Sequence, residues 1–319
     1  MAEQRYNLAP ITTSWLRALR AENKADNTLR IYGNAARSFA RFLLEDYQPT
    51  TGEDGTPGRA APASLDSIHR EHVQAYIADT ITRTSPANAH QHYRALKTLF
   101  NWLVDEEELD RSPMRTMKPP AVTEKEVPVI PDEDLAKLFR TCKGRTYADR
   151  RDTAILMLFL DTGIRLSELA DRRVGDVDLD LMVIRVLGKG DRWRSVPFGR
   201  TCATALDRYL RAAVKHKGQD LHDDMWLWWG DRNRGQRLTI WGVGTMLKRR
   251  CAEAGIDELH PHQFRHTFAH LWKVGGGNED DLMRITGWKS RQMLSRYASS
   301  AGSERARAAH ARLSPADRL

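Results

Sequence analysis

The sequence predicts a mostly α-helical protein with one small β-sheet, an all-helical N-terminal domain followed by an α+β domain. Three observations carry that assignment. Apolar residues recur at helical spacing along most of the chain. A stretch with four prolines and no apolar period, residues 116–131, interrupts them. Beyond it lies a single pair of short β-patterned runs, joined by the turn Gly188-Lys-Gly-Asp191. The 319 residues, 41% hydrophobic and 29% charged, are enough for two cored domains.

The N-terminal domain, residues 1–115, reads as about four helices. The first covers 10–21. The second opens at Asp26, Asn27 or Thr28 and places Leu29, Tyr32, Ala36, Phe39 and Leu43 on one face. Residues 48–64 are turn-formers and read as a loop. Helices at 66–83 and 86–106 follow, the latter with Tyr93, Leu96, Phe100 and Leu103 on one side and an end near Ser112-Pro113. Residues 116–131 read as an extended linker, and 132–319 as the second domain. There the pattern predicts helices at 132–143, capped by Asp132, and 149–161. Strands near 181–187 and 192–198 form a hairpin, followed by a helix at 201–216 and a further strand at Trp226-Leu-Trp-Trp229. Helices at 239–254, 262–274, 279–286 and 290–299 precede a polar, Ala/Arg-rich tail.

Composition narrows the function classes. The longest apolar run, Ala154–Leu160, is seven residues, against the roughly 20 that span a bilayer. Met1-Ala-Glu-Gln-Arg-Tyr lacks the layout of a secretion signal. Cys142, Cys202 and Cys251 are odd in number and far apart, so neither a disulfide framework nor a cysteine metal knuckle is expected. These features together predict a soluble cytoplasmic protein with no membrane partner. The net charge of +8 is unevenly distributed: residues 1–118 hold 15 Lys+Arg against 15 Asp+Glu, and the remainder 35 against 27. A basic second domain points to a polyanion, nucleic acid first.

Three segments of that domain carry chemistry. In Thr162-Gly-Ile-Arg-Leu-Ser-Glu-Leu169, a glycine breaks an apolar helix and the next helix starts at once. Arg165 is thereby held at a helix end, with Glu168 one turn away to orient it. In His260-Pro-His-Gln-Phe-Arg-His266, His262 and Arg265 stand i, i+3 on one helix face. Gly287-Trp-Lys-Ser-Arg-Gln-Met-Leu-Ser-Arg-Tyr297 reads as a short amphipathic helix ending in tyrosine. Two arginine forks suit the non-bridging oxygens of a phosphate and its transition-state charge. A tyrosine can be the nucleophile of a covalent intermediate, and His and Lys can move protons. This set is what phosphoryl transfer without a metal would need.

In these segments the sequence resembles the tyrosine recombinases of the phage-integrase and Xer type, over roughly residues 8–312, with sharp motifs only in 128–300. The resemblance implies a helical core-binding domain of SAM-like type ahead of a tyrosine-recombinase catalytic domain. It makes Arg165 the first catalytic arginine and Glu168 its companion. It assigns the hairpin lysine to Lys189, with Arg192 and Arg194 as nearby rivals, and the His-x-x-Arg-His box to His262, Arg265 and His266. The last box usually reads Leu-Gly-His, with a tyrosine nine residues on. Here it is Thr286-Gly-Trp288, and Tyr297 stands nine residues after Trp288. The indole N–H at Trp288 can donate a hydrogen bond to phosphate, as in Cre and the yeast flippase-like members, which also carry tryptophan there.

The resemblance further implies site-specific recombination through a 3′-phosphotyrosyl intermediate, no cofactor, and a partner of double-stranded DNA with an inverted-repeat core site. It implies a protein tetramer on two such sites. The chain begins directly at the helical domain, which favours a simple-site recombinase or compact mobile-element integrase without an arm-binding module. Arg30, Arg37, Arg94 and Lys97 on the N-terminal helices, and Arg192 and Arg194 on the hairpin, are further candidates for DNA phosphate contacts. Other readings are a DNA-binding regulator that keeps the fold without catalysis, a type IB topoisomerase and a telomere resolvase. His262, His266 and His270, recurring every four residues, also have metal-site spacing, but no carboxylate joins them and no metal is expected. Trp226, Trp228 and Trp229 read as core and strand packing.

Overall fold

The computed structural model describes residues 6–49, 59–123, 128–188, 192–231, 236–291, 294, 310–311, 314 and 316–318. The chain divides into two compact units, residues 1–124 and 125–319.

The first unit is built on four helices: α1 (Ala9–Ala21), α2 (Asp26–Arg41), α3 (Arg70–Arg83) and α4 (Pro86–Asp105). Ala25, not one of the polar residues after it, is the N-cap of α2. Asp26 instead supplies a carboxylate to the first turn, where the helix dipole favours it. The chain leaves α2 through one wide π-helical turn, Phe42–Asp46, closed by the Tyr47 N–H on the Phe42 carbonyl. The third helix starts later than its pattern suggests, with His69 as N-cap and its backbone N–H donating to His72 Nδ1 at 2.9 Å. Ser85 caps α4, accepting from the Asn88 N–H, and Pro86 occupies the first turn, where it needs no donor. The predicted faces are buried: Leu29 and Phe39 of α2, Leu43 of the π-helical turn, and Tyr93, Leu96, Phe100 and Leu103 of α4 join Trp15, Leu19 and Tyr76 in one core.

The proline-rich stretch is tied down at both ends. Met114 and Met117 are buried in the first core, and the Tyr93 hydroxyl donates to the Met117 carbonyl at 2.6 Å. Ile130 is buried in the second core, and its N–H donates to Thr267 Oγ1 at 2.9 Å.

The second unit comprises α5 (Asp132–Arg140), α6 (Tyr147–Thr162), α7 (Leu166–Ala170), β1 (Val177–Asp178), β2 (Val183–Gly188), β3 (Arg192–Pro197), α8 (Arg200–Lys217), α9 (Ile240–Ala254), α10 (Pro261–Val274) and α11 (Glu279–Thr286). Pro131 precedes α5 as N-cap, so Asp132, expected there, opens the helix instead. Helix α6, apolar from Ala154 to Leu160, is the centre of the unit, packed on α8 and α10. The sheet is antiparallel in the order β1-β2-β3. In the hairpin Val186 pairs with Arg194, Ile184 with Val196 and Gly188 with Arg192. Ile184, Val186 and Val196 are buried, so the period of two sends Arg194 inward with them.

One element is missed by the pattern and one expectation is corrected. Strand β1, two residues long, was not legible in the pattern. The segment Trp226–Trp229 is not a strand but makes two isolated bridges, Arg173 with Trp226 and Trp229 with Arg237. Its tryptophans serve packing: Trp228 is fully buried with its indole N–H on the Leu169 carbonyl, and Trp226 lies between the guanidinium groups of Arg173 and Arg237. Most of the helix expected at 290–299 lies outside the described residues. Among the described residues, no helix is long and apolar enough to cross a membrane.

Candidate active site

The site grows from the end of α6. Gly163 ends that helix in the left-handed region, with φ of +58°, and a Cβ there would stand 2.7 Å from the Phe268 ring. Three residues later α7 starts with Arg165 as N-cap and Glu168 in its first turn. Glu168 Oε2 accepts the Arg165 backbone N–H at 3.0 Å, and Oε1 accepts Arg165 Nη1 at 2.8 Å. The arginine is thus held from both its backbone and its side chain, as its position at a helix start predicts.

Arg265 comes from α10 and is 2% exposed. Burying a guanidinium is costly unless its donors are matched. Here Nη1 donates to the Gly163 carbonyl and Nη2 to the Thr286 carbonyl, both at 2.6 Å. Arg165 Nη1 reaches the same Thr286 oxygen at 3.5 Å. Both forks therefore share one acceptor, although their residues are 100 positions apart in sequence. Helix α11 ends at that carbonyl, and Gly287, with φ of +68°, turns the chain to Trp288. The Trp288 ring is 4% exposed and lies beneath the Arg265 guanidinium, 5.0 Å from Cζ to the ring centroid.

His262 stands in the first turn of α10 and reaches solvent. Partial desolvation, followed by the charges of Arg265 and Arg165, lowers its pKa from the usual 6.5. His266, 1% exposed, is an interior residue of the same helix, and His270 is half-buried. Glu168 shows the opposite balance of forces. Burial alone would raise its carboxyl, but the Arg194 fork, the Arg165 N–H and the charges of both arginines hold it at about 2.

Arg194, expected to contact DNA phosphates, turns its fork into the protein. Its Nη1 and Nη2 donate to the two oxygens of Glu168, each at 2.9 Å, and its Nε donates to the Ile285 carbonyl at 3.0 Å. All three donor positions of the fork are used inside the protein. The signal was present in the sequence, since Arg194 stands two residues before Val196 in a six-residue strand and so shares its inward face. Arg192 is exposed beside the hairpin turn, and Arg30, Arg37, Arg94 and Lys97 are exposed on α2 and α4. Arg30 and Arg37 each donate to an asparagine one turn earlier, Asn27 and Asn34. Lys189 and Tyr297 lie outside the described residues. The structure therefore brings together Arg165, Glu168, His262, Arg265 and Trp288, and adds Arg194.

The profile of the phage integrase family matches residues 128–304, more than half of the chain, and that of the phage integrase N-terminal SAM-like domain matches residues 11–109. This chain belongs to the phage integrase family. The tyrosine recombinase XerC of Staphylococcus aureus is 31% identical to it over 271 residues, 83% of this chain and 84% of the relative. Two solved structures share the fold. XerH site-specific recombinase, bound to palindromic difH substrate, has a TM-score of 0.70 at 17% identity, over 92% of this chain and 82% of XerH. The Tn1549 transposon integrase, in complex with transposon right end DNA, has a TM-score of 0.69 at 20% identity, over 97% of this chain and all of that one. The chain is a tyrosine site-specific recombinase with the mostly helical fold and small sheet of that family.

Proposed function

We propose that this recombinase cuts and rejoins double-stranded DNA at a short inverted-repeat core site through a 3′-phosphotyrosyl link to Tyr297. The observation that carries the reading is the shared Thr286 oxygen. Guanidinium groups close enough to donate to one atom are close enough to hold one phosphate between them. Relatives of the same fold have been solved on DNA, XerH on palindromic difH and the Tn1549 integrase on a transposon end.

In this reading the Tyr297 Oη forms a bond to phosphorus while the bond to the 5′-oxygen breaks. Arg165 and Arg265 hold the non-bridging oxygens and meet the charge that builds there. Lys189 gives the leaving oxygen its proton, and His262 takes the proton of the tyrosine. The lowered pKa keeps His262 neutral near pH 7, the form that can accept a proton. Trp288 supports Arg265 from below, and Glu168 and His266 are supporting residues. The 5′-hydroxyl of a partner strand then attacks the phosphotyrosine, the P–O bond to Tyr297 breaks, and the strand is joined. The phosphotyrosyl bond conserves the energy of the broken phosphodiester, so the cycle needs neither metal nor nucleotide cofactor. Two core sites exchanging strands call for four protomers, a tetramer on DNA, and the enzyme acts in the cytoplasm.

The test is covalent capture. Wild-type protein and Tyr297→Phe are expressed in cells, lysates are denatured without crosslinker, and protein-bound DNA ends are sequenced. The expected result is ends at one inverted-repeat site for wild type and none for the variant. Scattered ends would favour a topoisomerase. No covalent DNA from either protein, despite tight DNA binding, would favour a regulator.

A further inference from the structure

Glu168 is the hub of the site, and its bonding is saturated. A carboxylate offers about four acceptor positions. Here Oε1 takes Arg165 Nη1 and Arg194 Nη1, and Oε2 takes the Arg165 backbone N–H and Arg194 Nη2. The carboxylate is 4% exposed, so water is a poor substitute for any of these donors. The division between the two arginines is unequal. Arg194 gives both arms of its fork to Glu168 and its Nε to the Ile285 carbonyl. Arg165, 31% exposed, engages only Nη1 among the described residues.

That inequality matters because a buried carboxylate and a guanidinium prefer a two-armed pair. With the Arg194 positions on Glu168 empty, nothing would oppose a second arm of Arg165 closing onto the carboxylate. The fork would then face the protein instead of a ligand. Arg194 also fixes the chain on the opposite side of the site. Its guanidinium underlies Gly287, where a Cβ would stand 3.1 Å from Cζ, and its Nε holds the carbonyl next to Thr286.

We infer that Arg194 is a positioning residue for strand cleavage: by saturating Glu168 it keeps the Arg165 fork turned outward for the scissile phosphate. The inference rests on the proposed phosphate role of Arg165, and its test separates the two. The substrate is a synthetic duplex of the core site recovered by covalent capture. One version carries an ordinary scissile phosphate and the other a methylphosphonate there. Replacing one non-bridging oxygen by methyl removes the negative charge, so cleavage asks less of a guanidinium.

Single-turnover rates at saturating protein are compared for wild type, Arg165→Ala, Arg194→Ala and Arg194→Lys. On phosphate, Arg194→Ala is expected to slow cleavage on the order of 100-fold, the scale of a misplaced catalytic contact. Arg194→Lys, which keeps the charge but not the fork, falls between it and wild type. On methylphosphonate the Arg194→Ala defect shrinks at least tenfold, in step with that of Arg165→Ala. Equal Arg194→Ala defects on both substrates, with Arg165→Ala responding normally, would overturn the inference alone. Failure of Arg165→Ala to respond would overturn the phosphate role of Arg165 and the inference with it. The lysine variant carries the same comparison should the alanine variant not fold, which a thermal melt reports.

Discussion

The Arg265 guanidinium lies over the Trp288 ring, 5.0 Å from Cζ to centroid, with both residues almost wholly buried. Such a desolvated cation–π contact contributes up to about 2 kcal/mol, and about 1.4 kcal/mol is tenfold in rate. Trp288→Ala should therefore lower single-turnover cleavage about tenfold or more. Trp288→Phe keeps a ring face and should remain within about threefold of wild type. An equal loss in both variants would assign the role to the indole N–H instead.

Asp152 is fully buried and accepts from Arg151, Arg249 and Arg250 at 2.7–2.9 Å. The last two belong to α9, so this carboxylate ties α6 to α9 at the end of α6 remote from Gly163. Asp152→Asn leaves the buried Arg151 without its counter-charge, while Arg250 keeps Asp149 and Glu253, a loss of about 3 kcal/mol. The melting temperature of the catalytic unit should fall by about 10 °C. An unchanged melt would mean that the arginines find other partners at no cost.

Glu168 contributes a pH dependence of known sign. Its folded-state pKa of about 2 lies below the usual 4.5, so its stabilisation is complete above pH 4.5. It is lost as pH falls from there through 2, because protonation then favours the unfolded chain. The contribution is about 3 kcal/mol before allowance for screening at the partly exposed Arg165. Acid unfolding followed by circular dichroism should show this slope in wild type and a flatter one in Glu168→Gln. Parallel curves would contradict the assignment.

His262 sets the acid side of the rate profile. Desolvation and the two arginine charges lower its pKa, so it stays neutral to a lower pH than a free histidine. The acid limb of the single-turnover rate should have its midpoint below 6.5, the value of a free histidine. His262→Ala should lower the plateau and remove that decline. A wild-type midpoint above 6.5 would exclude His262 as the group responsible.

Much of the fold is legible along the chain because helix and strand periods are local. The apolar faces of α2 and α4, the glycine stops at Gly163 and Gly287 and the hairpin after Ile184 all follow from neighbours a few positions apart. Where local cues competed, the pattern failed. Three tryptophans in four residues suggest a strand at 226–229, but Trp226 packs on Arg173 and Arg237 and Trp228 donates to the Leu169 carbonyl, and only isolated bridges form.

The sequence by itself determined the order and type of the chemical groups: an arginine after a helix-ending glycine, a histidine and arginine on one helix face, and a tyrosine after Gly287-Trp288. Only the tertiary structure decided which groups face a ligand and which face the protein. Arg194 and Arg165 read alike as cations near a turn, yet one spends its whole fork on Glu168 and Ile285 and the other does not. The partners that make the difference are 26 and 91 residues from Arg194, and the Thr286 carbonyl is 121 from Arg165. Backbone carbonyls are the same in every residue, so no side-chain pattern marks the ones that will be acceptors. Packing of α7, β3, α10 and α11 around one buried carboxylate selects them.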